Sequence, residues 1–288
     1  MTVQIGGTVN FPQTVTAQLS NGTTQEVGIV WETTEAYTAE IGSFTYEGRV
    51  EGYTNSVELV VNVEMTGYEE LEEGRIARVS NQAGLDRALS TITVDEIEIA
   101  GDVRLPSRSI NKKLTIPAGA DPITLDINGA TVSELVVNRD NTTINLRQGT
   151  INELTIKGNN NEVINGTVGT LDIESNVTQL TLTDVTDNQR SVHTFNGGGA
   201  NSIVLAGTTT LLGDVHVTAN TPVQIRSDSN DVKIQGTLRV ETSAQVDVNT
   251  NVETLIVDNI GAKVNVHQRL EAILVRHDAN INLLENAS

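Results

Sequence analysis

The segment from Asp184 to Ala200 collects the side chains best suited to chemistry: Asp184, Asp187, Arg190 and His193, followed by Phe195 and Gly197-Gly198-Gly199. Aspartates are hard oxygen ligands, so Asp184 and Asp187 are the candidate calcium ligands. Arg190 and His193 add donors that suit sugar hydroxyls or carboxylates. A plainer arrangement also accounts for the segment: a longer run of backbone in which Phe195 fills a core layer and the glycines turn the chain. No cofactor is expected, calcium being the one ion this segment would suit, and no residue is assigned a catalytic role.

Nothing elsewhere supplies a stronger constellation. The four histidines, His193, His216, His267 and His277, show no metal-ligand spacing of the His-x-x-x-His kind. His216 and His267 are the middle residues of apolar–polar–apolar triplets, which turns them outward, so solvated histidines are expected. No Gly-x-Ser-x-Gly elbow or phosphate-binding loop occurs. The absence of cysteine excludes disulfides, thiol catalysis and cysteine-bound metal. With 37 acidic against 18 basic residues and a net charge of −19, the chain lacks the cationic footprint that nucleic acid or an anionic membrane requires. Such acidity maintains solubility, and it would also attract divalent cations or basic partners.

The elements that position these residues are strands. Of the 288 residues 38% are hydrophobic but only 3% aromatic, so branched aliphatics must build the core, and these favour β-structure. Residues 1–65 alternate: Thr14-Val15-Thr16-Ala17-Gln18-Leu19 precedes an Asn21-Gly22 turn signal, and further strands cover Val27–Trp31, Gly42–Val50 and Ser56–Val63. Trp31, the single tryptophan, is expected as a core anchor. This stretch resembles the bacterial Ig-like domains of group 4, through Pro12 with Thr14-Val15-Thr16, Val30-Trp31-Glu32, Gly42-Ser43-Phe44-Thr45-Tyr46-Glu47-Gly48 and the valine-rich last strand. The resemblance implies a small β-sandwich serving as a spacer or accessory module outside the cell, without catalytic residues.

Residues 66–75, Glu-rich and glycine-bounded, are expected to be a solvated acidic linker. The stretch from Ser80 to Leu89 offers the one convincing helix: Ser80 or Asn81 can cap it, and Leu85, Ala88 and Leu89 share a face. From Ile97 onward short triplets such as Leu114-Thr115-Ile116, Leu154-Thr155-Ile156 and Leu180-Thr181-Leu182 recur. A longer echo, from Gly129 to Gly149 to Gly166, repeats after 20 and 17 residues, the length of one coil of a slender solenoid with two or three strands. Asn128-Gly129, Asn159-Asn160-Asn161 and Asn165-Gly166 supply turns, and stacked asparagines can form amide ladders. A left-handed β-helix would keep a strict six-residue period, from which these intervals drift. The expected fold is therefore all-β: a small Ig-like sandwich, then over residues 76–288 a right-handed parallel β-helix formed by a single chain, capped at its N-terminal end by a helix.

This second part resembles the pectate-lyase-like β-helix superfamily, in the adhesive type found in Gram-positive surface proteins. The likeness rests on Val79-Ser80-Asn81-Gln82-Ala83-Gly84-Leu85-Asp86-Arg87-Ala88-Leu89 and the following Ile97-Glu98-Ile99-Ala100-Gly101-Asp102-Val103. The superfamily includes polysaccharide lyases and hydrolases. However, Arg104-Leu105-Pro106-Ser107-Arg108 lacks the Arg-x-Pro-x-x-Arg spacing of the lyases, and the paired aspartates and Gly-His-Gly of pectin hydrolases are missing.

The expected function is a non-enzymatic, extracellular module of the cell surface or wall, an adhesin or scaffold presenting a stiff face to a cell-surface polysaccharide or surface protein. Few aromatics are available for sugar stacking. A polysaccharide lyase or hydrolase, and a structural surface-array component, are the alternatives. No partner nucleic acid and no membrane insertion are expected: there is no apolar run of about 18 residues, and Met1-Thr2-Val3-Gln4-Ile5 lacks the form of a signal peptide. The chain starts close to a strand and stops at Asn286-Ala287-Ser288, as a segment of a longer protein would.

Overall fold

A computed structural model describes residues 1–197 and 199–284, and of residues 199–202 only the backbone. Gly198 and the C-terminal Asn286-Ala287-Ser288 lie outside the described residues. Strand accounts for 53% of the structure and helix for 4%, an all-β fold. The chain divides into two compact units, Met1–Glu69 and Glu70–Ser288.

The first unit holds β1 (Thr2–Gln4), β2 (Thr14–Gln18), β3 (Thr24–Trp31), β4 (Gly42–Val50) and β5 (Val57–Glu64), hydrogen-bonded in the order β1-β5-β4-β3-β2. Strand β3 changes partner along its length: residues 24–28 pair with β2 and residues 29–31 with β4, both antiparallel. Asn21-Gly22 makes the β2–β3 turn. Gly22 takes φ +82°, and the Asn21 side chain accepts from the Thr23 N–H at 3.0 Å. Val9, Val61 and Val63 form the core, with Phe44, Tyr46 and Leu59 packed against it. Trp31 is half-buried, its ring 5.5 Å from Phe11 and its indole N–H donating to the Pro12 carbonyl at 2.7 Å. It therefore ties the segment before β2 to the sheet.

On the exposed β2–β3 surface the Thr16 hydroxyl donates to Glu26 Oε1 at 2.6 Å. This bond, with a second from Thr14, holds the Glu26 carboxyl below its ordinary pKa. A lowered folded pKa contributes stability above the unfolded value that is lost as pH falls through the folded one. Thr16→Val should move the Glu26 titration back toward the ordinary carboxylate value in a carboxyl-detected NMR titration.

Residues 66–75, expected as a solvated linker, are regular: a strand over Tyr68–Leu71 and a 3-10 turn over Glu72–Gly74, with the acidic side chains exposed. Helix α1 (Gln82–Ser90) follows, N-capped by Asn81, whose side chain accepts from the Gly84 N–H at 2.9 Å. It buries Leu85 and Ala88 and contacts the strands Ile76–Val79, Glu96–Ile99 and Val103–Arg104.

The rest is a β-solenoid of about 11 turns in which each strand pairs in parallel with the equivalent strand of the next coil. Strict register turns triplets into columns. Leu114, Leu135, Leu154 and Leu171 stack as one inward column, and Ile116, Val137, Ile156 and Ile173 as a second. These aliphatics are at most 2% exposed. Each contributes roughly 1.5–3 kcal/mol on burial, so stacking supplies what a lone coil cannot. The corners are held by left-handed residues, with φ of +53° at Asn128, +54° at Asn160 and +58° at Asn165. Asparagine ladders join successive coils, Asn160 donating to Asn141 at 2.7 Å and Asn282 to Asn265 at 2.9 Å.

One corner is fastened differently. Arg139, only 7% exposed, donates from Nε to the Pro117 carbonyl at 3.0 Å and from Nη1 to the Asp121 carbonyl at 3.2 Å. Gly119 provides the room, since a Cβ there would lie 2.3 Å from Nη2. Arg139→Ala should cost about 1.5–3 kcal/mol by removing the hydrogen bonds from its guanidinium to the Pro117 and Asp121 carbonyls. Arg139→Lys should not restore it, because an ammonium lacks the planar fork that reaches both. Denaturant midpoints and proteolysis of residues 117–121 would check both variants.

Candidate functional site

The Asp184–Ala200 segment is built into the solenoid. Its chain forms parts of the strands Leu180–Thr186, Val192–Phe195 and Gly199–Ala206, each paired in parallel with neighbouring coils. Thr186 pairs with Thr167 and Thr210, and the residues that follow those partners, Val168 and Leu211, are buried aliphatics. In this coil the position is Asp187. His193 likewise pairs with Leu171 on one side and Val215 on the other. Two polar residues thus occupy sites that are aliphatic in the adjacent coils, with Asp187 6% and His193 1% exposed.

They survive there because each polar atom has a partner. His193 Nδ1 accepts from the Leu171 N–H at 3.2 Å, so Nε2 carries the proton and donates to Asp187 Oδ2 at 2.7 Å. Oδ2 also accepts from the Gly213 N–H at 3.0 Å, and Oδ1 from the Leu212 N–H. Buried carboxylates persist when hydrogen-bonded in this way. Asp184 and Arg190 have other partners. Asp184, at φ +54°, accepts from the Thr208 N–H at 2.8 Å and its hydroxyl at 3.0 Å. Arg190 is exposed, its backbone N–H donating to Asn188 Oδ1 at 2.9 Å. Among the described residues no group of three or more His, Asp or Glu side chains could hold a metal ion.

The expectation of solvated histidines needs correction at His193. His216 and His267 do face outward, half-exposed, with Glu241 at 3.2 Å and Asp247 at 3.9 Å. His193 faces inward because it aligns with Leu171, a register that its own neighbours Val192 and Thr194 do not reveal.

A second candidate lies on the outer face. A groove of about 630 Å³ crosses six successive parallel strands, from Glu96 to Asn196. Along it runs the outward column Thr115, Val136, Thr155, Asp172 and Thr194. Just past the ends of these strands stand Asn138, Lys157, Glu174 and Asn196. Lys113 pairs with Glu96 at 3.4 Å and Lys157 with Glu174 at 3.6 Å, while the Thr115 hydroxyl donates to Glu96 at 2.5 Å. Glu134 and Asp172 have no cationic partner among the described residues. No aromatic side chain lines the groove. Sequence reasoning did not single these residues out, since they lie up to 100 residues apart and only coil register joins them.

In the first unit the Trp31 ring packs on Phe11, whose ring lies 5.3 Å from that of Tyr46. Residues 1–53 match the bacterial Ig-like domain of group 4. The first unit as folded extends past this match to include β5, whose Val61 and Val63 complete its core. Searches of curated proteins and of solved structures find no match to the chain. No helix among the described residues is long and apolar enough to cross a membrane. An Ig-like domain together with a β-solenoid suggests a surface-type module.

Proposed function

We propose that this chain is a non-enzymatic extracellular module of the cell surface or wall, an adhesin or scaffold that holds an extended polysaccharide along its solenoid. The observation that carries this reading is the groove across six parallel strands. At a strand spacing of roughly 4.8 Å it runs about 24 Å, which suits a polymer better than a small molecule. On a sheet face the backbone N–H and C=O groups are already spent in the parallel ladder, so an added peptide strand finds no main-chain partners there. What remains is a lattice of hydroxyl, amide and carboxylate groups, the partners that sugar hydroxyls need. The two acid–base candidates nearest to a catalytic pair, Asp187 and His193, are enclosed in the core with their polar atoms engaged, which supports binding rather than turnover.

Incubation with purified polysaccharides, followed by reducing-end and ultraviolet assays, together with sedimentation on insoluble cell-wall material, tests this. Retention without new ends supports it. New reducing ends or unsaturated products would overturn the non-enzymatic reading.

A further inference from the structure

We infer that the groove selects against acidic polysaccharides and takes a glycan whose charged groups, where present, are amines. This rests on the polysaccharide-binding reading and specifies its ligand. Six ionisable side chains line the groove: Glu96, Glu134, Asp172 and Glu174 against Lys113 and Lys157. Both lysines are already committed, to Glu96 and Glu174. The charge left for a ligand is that of Glu134 and Asp172, two carboxylates two strands apart, on a chain whose net charge is −19. A polyuronate entering here would place carboxylates against carboxylates with no free cation to receive them.

A polyhydroxylated polymer has no such conflict. Thr155, Thr194, Asn138 and Asn196 offer donors and acceptors to its hydroxyls in successive coils, and protonated amino groups spaced along it would meet Glu134 and Asp172. Without an aromatic platform, affinity comes from repeated hydrogen bonds and these charge pairs, so it builds up over several sugar units.

The test is affinity electrophoresis of the full chain through gels carrying one of three polymers: a neutral glucan, a partly deacetylated amino-sugar polymer, or polygalacturonate. The amino-sugar polymer should retard most, the glucan less, the polyuronate not at all. Any polycation attracts an acidic protein, so two variants of equal charge separate site from field. Glu134→Gln with Asp172→Asn should weaken binding to the amino-sugar polymer about tenfold and leave the glucan unchanged. Glu58→Gln with Glu253→Gln, exposed carboxylates outside the groove, should leave the amino-sugar binding near that of the parent. Retardation by polygalacturonate, equal retardation by glucan and amino-sugar polymer, or equal losses in the two variants would each overturn the inference while leaving polysaccharide binding intact. Retardation by none of the three would overturn the binding reading itself.

Discussion

Asp187→Ala is expected to destabilise the solenoid by about 3–5 kcal/mol, the cost of leaving three N–H donors in and around the core without their shared acceptor. Removal of the carboxylate leaves the His193 Nε2–H and the Leu212 and Gly213 N–H groups without acceptors in the interior. His193→Leu alone should also destabilise, because the Asp187 carboxylate loses one donor and the Leu171 N–H loses its acceptor. The double variant Asp187→Val with His193→Leu rebuilds both aliphatic columns, matching Val168 and Leu211 in one and Leu171 and Val215 in the other. Its loss should be smaller than the sum of the single losses, by an interaction energy of about 0.5–3 kcal/mol. Urea denaturation of the four proteins of the cycle, the parent, Asp187→Val, His193→Leu and the double variant, measures this. Amide exchange at Leu171, Leu212 and Gly213 localises it, since opening in a repeat array is governed by nearest-neighbour contacts. Additive losses would mean that the pair is not a unit.

Phe195→Ala is the second large effect, expected at about 3–5 kcal/mol for deletion of a fully buried aromatic. Phe195 is 0% exposed and aligns with Ile173 in the coil before and Val217 in the coil after. Leu171, His193 and Val215 are spaced 22 residues apart, whereas Leu154 and Leu171 are separated by 17. In these 22-residue coils the Asp187–His193 pair and Phe195 are enclosed together in the core. Phe195→Leu should lose less than alanine because it leaves a smaller cavity. A loss below about 1 kcal/mol for alanine would show that the coil collapses freely onto the space.

The role of Phe195 was legible in the sequence as one of two arrangements of the Asp184–Ala200 segment, the one in which it fills a core layer. Gly198 lies outside the described residues. The roles of Asp187 and His193 were less legible. Alternation rules assign polar side chains to the outside, and in a triplet such as Leu154-Thr155-Ile156 they are right. At Asp187 they fail because its acceptor atoms are satisfied by amides 25 and 26 residues later in the chain. The outer groove was illegible for the same reason. Glu134 and Asp172 have nothing in common locally, and they join one surface only through the pairing of Leu135 with Leu154 and of Leu154 with Leu171.

By itself the sequence determined the parts of this protein that depend on neighbours along the chain. Branched aliphatics at every second position dictate strands, and Asn128, Asn160 and Asn165 dictate corners because asparagine tolerates a left-handed backbone. A 17- to 20-residue echo dictates stacking, since no coil can bury its inward side chains alone. The tertiary structure alone decided which polar groups are inside and which carboxylates face solvent unpaired. Burial of a charge is permitted or forbidden by the donors around it, and here those donors arrive from the next coil.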